Sequence, residues 1–98
     1  MQERYSYFFK CFSHKSRLQI IKLLAQKNEM SVKELAAAME IKASTISRHL
    51  NILKLQGVLQ MRVDASRHYY SLNREKIKKE FTAFTASLDW EKAADTVQ

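Results

Sequence analysis

"KASTISRHLNILKLQG", at residues 42–57, is the stretch that decides the fold class. With about 100° between successive helical residues, Ile46, Leu50 and Leu53 fall within about 60° of one another and form an apolar face. Short or polar side chains occupy the other side of the N-terminal half: Ser44, Thr45, Arg48 and His49. The pattern predicts a helix over about 43–56 that buries one face and presents the other to a binding partner.

The end of this helix is also marked. Gly57 is the only glycine in the chain and suits the left-handed position that follows a helix. Ile52 and Leu55 fit neither face. We therefore expect the C-terminal half of the helix to be enclosed on more than one side.

A second helix start lies shortly before this stretch. In "MSVKEL", Ser31 is a candidate N-cap and Glu34 stands three residues later, which is the spacing of a capping box. A short helix to about Met39, a tight turn and the helix over 43–56 then form a helix-turn-helix.

Two further helices are predicted before the capping box. "RLQIIKLLAQK", at residues 17–27, has helical apolar spacing, and Ser13 offers an N-cap for it. Tyr5, Phe8, Phe9 and Phe12 are also at helical spacing, which predicts a first helix over about 3–12.

After Gly57 the apolar period changes from helical to alternating. "VLQMRV" and "RHYYSL" alternate and predict two strands, with "DAS" between them as a turn. The turn lacks glycine, so we expect a looser loop, with Arg62 and Arg67 close to its tip. The last helix, over about 74–90, carries an apolar stripe at Ile77, Phe81, Phe84 and Leu88. The fold class is mainly α with a small β-hairpin: a winged helix-turn-helix in the order α-α-α-α-β-β-α, with the wing at about 58–72.

Length, composition and charge restrict the function. The 98 residues suit a single domain, at 1–98, and 46% hydrophobic residues exclude disorder. No apolar run could span a membrane and the N-terminus lacks a signal-peptide pattern, so we expect a cytoplasmic protein. The net charge is +7, and its excess lies at residues 41–79, which contain nine basic and two acidic residues. Such a segment is expected where a protein meets a polyanion, although a solvated surface has the same composition.

The polar face and the hairpin are suited to double-stranded DNA. A recognition helix enters the major groove by its N-terminus, where short side chains allow close approach. Arg48 can reach a guanine edge, and His49 a base or a phosphate. Lys42, Arg62 and Arg67 are expected to contact phosphates or the neighbouring minor groove. For Ser44 and Thr45, helix capping is the alternative.

At this point the sequence resembles the ArsR (arsenic-repressor) family of winged-helix regulators. The resemblance covers roughly residues 8–72 and is most specific in "STISRHL" and the following "GVL". It implies a small homodimeric repressor that binds a palindromic operator and contacts it through Ser44, Thr45, Ser47, Arg48 and His49. It also implies that the first and last helices form the dimer interface.

The residues independently favour such an interface. The aromatic row of the first helix and the apolar stripe of the last exceed what one small core needs, and a buried aromatic side chain contributes roughly 1.5–3 kcal/mol. The alternative is that both rows only cover the core of the monomer. The predicted interface residues are Tyr5, Phe8, Phe9, Phe12, Ile77, Phe81, Phe84 and Leu88.

The family's usual metal sites have no counterpart. At the start of the third helix, where metal-sensing members carry a cysteine pair, this chain has Ser31 and Lys33, and the last helix contains no histidine. We therefore expect no metal and no cofactor. Cys11, the single cysteine, is either a small core residue or a thiol whose oxidation alters the dimer.

Other functional classes are less favoured. No phosphate loop, carboxylate pair or activated nucleophile suggests an enzyme. A winged helix that binds proteins needs no concentrated positive surface. A DNA binder without sequence preference remains an alternative, which the short hydroxyl side chains disfavour.

Overall fold

The computed structural model describes residues 2–88, with side chains from residue 5 onward. The winged helix-turn-helix predicted from the sequence is confirmed. The elements in chain order are α1 (Gln2–Lys10), α2 (Lys15–Lys27), β1 (Met30–Ser31), α3 (Val32–Met39), α4 (Ala43–Leu55), β2 (Leu59–Asp64), β3 (Arg67–Leu72) and α5 (Arg74–Ser87). Positions 89–90 of the predicted last helix lie outside the described residues. Within 2–88, no helix is long and apolar enough to cross a bilayer.

The sheet has one more strand than the sequence predicts. The two residues of β1 pair antiparallel with β3, so the strand order is β1-β3-β2. Ser31 stands opposite Tyr69, and Tyr69 in turn stands opposite Arg62 on β2. The start of α3 is therefore fixed beside the hairpin, because its N-cap residue belongs to the sheet.

The hairpin turn is tighter than expected. Asp64 pairs with Arg67 in the ladder, which leaves only Ala65 and Ser66 as the connection. Ala65 has φ of 58°, a left-handed conformation that costs a residue with a Cβ about 1–2 kcal/mol. The expectation of a looser loop was wrong, because an alanine takes the conformation that glycine usually supplies.

The signals at the start of α3 and the end of α4 are confirmed. Ser31 Oγ accepts from the Glu34 N–H at 3.1 Å, and the Glu34 carboxylate accepts from the Ser31 N–H at 2.8 Å. Gly57 has φ of 78°. The Val58 N–H donates to the Leu53 carbonyl at 3.0 Å, so the last carbonyls of α4 are satisfied by a Schellman motif.

The start of α2 differs from the prediction. His14, not Ser13, is the N-cap, and its Nδ1 accepts from the Ser16 N–H at 3.2 Å. The Ser13 hydroxyl instead donates to the Lys10 carbonyl. An imidazole nitrogen can replace a hydroxyl as cap because both are acceptors within reach of the second helical amide.

The core face of α4 lies as predicted, but the C-terminal half of the helix is more exposed than predicted. Ile46, Leu50 and Leu53 are completely buried, in one cluster with residues of every other helix except α5. Ile52 and Leu55 are 37% and 72% exposed. The expectation that this half is enclosed on several sides was wrong for the single chain, because α4 contacts the core along one face only.

Candidate DNA interface

The exposed face of α4 carries the predicted contact residues. Ser44, Ser47 and Arg48 are all exposed, while Thr45 is half-buried at the edge of the core face. Asn51 is also exposed, one turn after Arg48, and was missed in the sequence analysis. Its spacing of three residues from Arg48 is the signal that could have found it. An asparagine there can bond the N6 and N7 edge of adenine.

The first turn of α4 remains electrostatically positive. Lys42 is its N-cap residue and makes no side-chain capping bond, and the first turn holds no acidic residue. The first amides of a helix have no partner within the helix and carry partial positive charge. The start of α4, with the exposed ammonium of Lys42 beside it, is therefore suited to negative charge.

His49 points elsewhere than expected. Its ring lies 4.7 Å from the ring of His14, at the start of α2, and its Nδ1 is buried with no hydrogen-bond partner among residues 2–88. At about 100° from Arg48 around the helix, it lies towards the core rather than beside Arg48. The structure thus separates His49 from the exposed contact face.

The surroundings of His49 also change its titration. Burial lowers the pKa of His49 below its ordinary value of 6.5, and the positive charges of His14, Arg17 and Arg48 lower the pKa further. Each of these effects disfavours a second proton on the ring. The imidazole is accordingly kept neutral as the pH falls below that ordinary value.

We expect this histidine to make the fold sensitive to acid. Below about pH 6.5 the unfolded chain takes up a proton that the folded chain resists, so the free energy of unfolding is intact above that pH and declines as pH falls through the lowered pKa. Urea unfolding between about pH 8 and 5 measures the decline. His49→Gln should reduce this decline. An identical pH profile for the wild type and His49→Gln would contradict this account.

The two arginines of the hairpin differ in their availability. The Arg67 side chain is exposed at the end of the turn and makes no hydrogen bond or ion pair within the described part of the chain. Arg62 holds Glu29 through two hydrogen bonds, Nε to Oε2 at 2.7 Å and Nη2 to Oε1 at 2.9 Å. Its guanidinium also lies 4.8 Å from the Tyr69 ring. The Arg67 side chain is therefore free to contact phosphate, whereas the Arg62 side chain is held in place by Glu29.

The Arg62 pair ties the hairpin to the segment before β1. The hydrogen bond from Arg62 lowers the pKa of Glu29, which keeps the carboxylate ionised. Because Glu29 precedes β1 and Arg62 lies on β2, the pair spans the central strand β3. Arg62 therefore helps to fix the orientation of the hairpin, and its contact with DNA stays a prediction.

The aromatic rows of α1 and α5 pack against each other within one chain. Phe8 and Phe9 contact Phe81, with ring centroids 5.4 and 5.5 Å apart, and Phe9 lies 4.7 Å from Phe84. Phe8 is only 2% exposed, so its ring belongs to the core and has no surface left for a second chain. An apolar surface remains on α5, where Phe81 and Leu88 are each 40% exposed. Tyr5, Phe9, Phe12, Ile77 and Phe84 are partly buried at its margin.

Cys11 is part of the core. Its side chain is completely buried and its Sγ lies 3.8 Å from the Tyr7 carbonyl oxygen, to which the thiol donates. Burial raises the pKa of the Cys11 thiol, against a smaller opposite effect of Arg17. Since the thiolate is the reactive form, this environment weighs against a redox role.

The described histidines and carboxylates do not gather. No group of three or more potential metal ligands occurs among residues 2–88. At the start of α3, the Ser31 hydroxyl is engaged in the capping box and Lys33 is exposed. The absence of a metal site stays a prediction.

Comparisons with known proteins give the class of this chain. Residues 14–60 match the family model described as "Bacterial regulatory protein, arsR family". An HTH-type transcriptional regulator of Methanocaldococcus jannaschii is 34% identical over 77 residues, which are 79% of this chain and 86% of that protein. The cadmium resistance regulator CadC of Listeria innocua is 36% identical over 70 residues, 71% of this chain and 59% of CadC. The chain thus spans less than two thirds of that relative.

A solved structure agrees in fold. The homodimeric winged helix-turn-helix DNA-binding domain Mb0332 of Mycobacterium bovis superposes with a TM-score of 0.72 at 30% identity, over 90% of this chain and 81% of that domain. The fold and the exposed face of α4 together define a winged helix-turn-helix DNA-binding protein. The chain belongs to the arsR family of bacterial regulatory proteins. It is a transcriptional regulator that binds DNA, not an enzyme.

Proposed function

We propose that this protein is a homodimeric, sequence-specific repressor that occludes promoters in the cytoplasm by binding a palindromic operator. The observation that carries the proposal is the exposed row of Ser44, Arg48 and Asn51 on α4, next to a helix start without a cap. Arginine and asparagine side chains read guanine and adenine edges, respectively, in the major groove. Hydroxyl groups as short as that of Ser44 permit the helix to approach the bases.

The proposed contacts divide into two kinds. Ser44, Ser47, Arg48 and Asn51 contact base edges, with Thr45 at the margin of that surface. Lys42 and Arg67, which are both exposed, contact phosphates. Base contacts carry sequence preference, whereas phosphate contacts supply affinity that falls steeply with salt.

Selection of bound fragments from genomic DNA, at near-physiological salt and with Cys11 reduced, tests this function. We expect enrichment of an imperfect palindrome and a preference over random DNA of at least about 10³-fold. Uniform recovery of all fragments would instead indicate a binder without sequence preference. No recovery at all would point to a protein partner.

Arg48 is expected to carry much of the preference. Arg48→Ala should cost about 1–3 kcal/mol of binding free energy per half-site of the selected operator and much less on random DNA. Lys54→Ala is the matched control, since it removes one positive charge from an exposed position of the same helix. Titration of labelled duplexes measures both variants. Equal losses of Arg48→Ala on selected and random DNA would show that Arg48 contacts only phosphate.

The dimer is proposed to form through α1 and α5. The apolar surface around Phe81 and Leu88, each 40% exposed, supports this arrangement, as does the homodimeric state of the similar domain from Mycobacterium bovis. A two-fold dimer on a palindrome holds its recognition helices about 34 Å apart, one turn of DNA.

We infer that the repressor does not sense metal at the start of α3. Ser31 Oγ accepts the Glu34 amide there, and the ammonium of Lys33 repels a cation. Unchanged DNA affinity on addition of zinc or cadmium, compared with a chelated sample, is the expected result.

A further inference from the structure

A cleft of about 290 Å³ lies between the start of α3 and the hairpin. The sheet register creates it: because Ser31 stands opposite Tyr69, the residues that follow Ser31 lie beside those that precede Tyr69. The cleft residues are Ser31, Val32, Lys33, Ser66, Arg67 and His68. They come from two elements that are distant in sequence, and none of them is acidic.

The two cations of this cleft, Lys33 and Arg67, have no counter-charge. Both are exposed and make no ion pair with any described residue, and His68 beside them is also exposed. The two nearest carboxylates in sequence are engaged elsewhere. Glu34 turns back to the Ser31 amide at 2.8 Å, and Asp64 approaches Arg62 at 3.8 Å.

Lys33 is moreover unfavourable for the helix on which it stands. It is the second residue of α3, where the partial positive charge of the helix start repels a cation. A neutral or acidic side chain would serve the fold better at this position. A residue that is unfavourable for its own helix and lines a basic cleft is typical of a binding site.

We propose that this cleft binds a phosphate group of the DNA backbone, with Lys33 and Arg67 as its main donors and His68 beside them. This inference rests on the proposed DNA-binding function. When α4 occupies a major groove and the hairpin reaches the adjacent minor groove, the sugar-phosphate strand between the grooves runs past the hairpin, where the cleft opens. The Arg67 fork and the Lys33 ammonium both suit phosphate oxygens.

Lys33→Gln tests the assignment, since it removes the charge and retains a polar side chain. Affinities for the selected site and for random DNA are measured between about 50 and 200 mM salt. One phosphate contact contributes a slope of about 0.9 in the plot of log affinity against log salt. Because the proposed dimer contains this cleft twice, we expect Lys33→Gln to lower that slope by about twice this amount and to weaken binding equally on both DNAs. Its melting temperature should not fall, because the lost charge opposed the helix.

Lys27→Gln is the matched control. It removes one positive charge from an exposed position in the last turn of α2, which does not line the cleft. Its salt slope should equal that of the wild type, and Lys33→Arg should also retain the wild-type slope. If Lys33→Gln has the same salt slope as Lys27→Gln while the wild type binds DNA normally, the assignment of the cleft is overturned. The proposed DNA-binding function is then unaffected.

Two further experiments distinguish a DNA phosphate from a free anion in the cleft, and failure of the cleft proposal from failure of the proposed function. Inorganic phosphate is titrated while the amide resonances of the cleft residues are followed by NMR. Saturable shifts that Lys33→Gln abolishes, together with an unchanged DNA salt slope, would assign the cleft to a free anion and overturn the DNA assignment. Absence of any DNA binding by the wild type would overturn the proposed function itself.

Discussion

Leu50→Ala is expected to lower the free energy of unfolding by about 2–5 kcal/mol, the usual range for truncating a buried leucine. Leu50 is completely buried on α4, in the same cluster as Ile46 and Leu53. The truncation removes apolar contacts and leaves a cavity that the packed helices cannot fully close. Since a domain of this size has only about 5–15 kcal/mol in total, the loss is a large share of its stability.

Leu55→Ala is the control for this prediction. It makes the same chemical change on the same helix, but Leu55 is 72% exposed, so the effect should stay within about 0.5 kcal/mol. Urea unfolding at one fixed protein concentration compares the two, because a dimer's stability depends on concentration. A loss below about 1 kcal/mol for Leu50→Ala would contradict the core assignment. A large loss for Leu55→Ala would mean that a second chain covers this part of α4.

The features predicted correctly depend on residues close together in sequence. The capping box joins Ser31 to Glu34, and the helix end at Gly57 is set by the bonds of Gly57 and Val58 to carbonyls three and five residues earlier. The buried face of α4 follows from a period of 3.6 residues. Such signals can be recognised without knowing where the rest of the chain lies.

The features that were missed depend on distant parts of the chain. The two residues of β1 are too few for an alternating pattern and become a strand only because Tyr69 and Tyr70 pair with them. Glu29 and Arg62 are 33 positions apart in the sequence, so the sequence alone does not show that Glu29 holds this arginine.

The position of His49 and that of the aromatic rows have the same explanation. His49 directly follows Arg48 in the sequence. Only the position of His14 at the start of α2 shows where the ring of His49 packs. The rows of α1 and α5 were predicted to be too apolar to remain in water, and within the single chain all of their residues except Phe81 and Leu88 are buried or half-buried. Their composition could not show that Phe8 and Phe9 face Phe81 in the same chain, with part of α5 left exposed.

Leu88→Glu is expected to weaken the proposed dimer at least about 100-fold, or roughly 3 kcal/mol. Leu88 stands at the end of α5 and is 40% exposed in the single chain. In a two-fold interface each substitution is present twice, so two apolar contacts are lost and two unpaired charges are buried. The monomer should stay folded, because Leu88 is the C-cap residue of α5 and does not belong to the hydrophobic core cluster. Sedimentation equilibrium measures the dissociation constant, and circular dichroism checks the fold.

The same substitution should uncouple the two halves of the operator. A dimer bound at one half-site holds its second recognition helix close to the other, at a high effective concentration, and a monomer loses this advantage. The affinity of Leu88→Glu for the palindrome should therefore fall to that of an isolated half-site. For the dissociation constant of the dimer, Val63→Glu is the matched control, since Val63 is 57% exposed on β2, away from α1 and α5. An unchanged dissociation constant for Leu88→Glu, or an equal rise for Val63→Glu, would contradict an interface at α5.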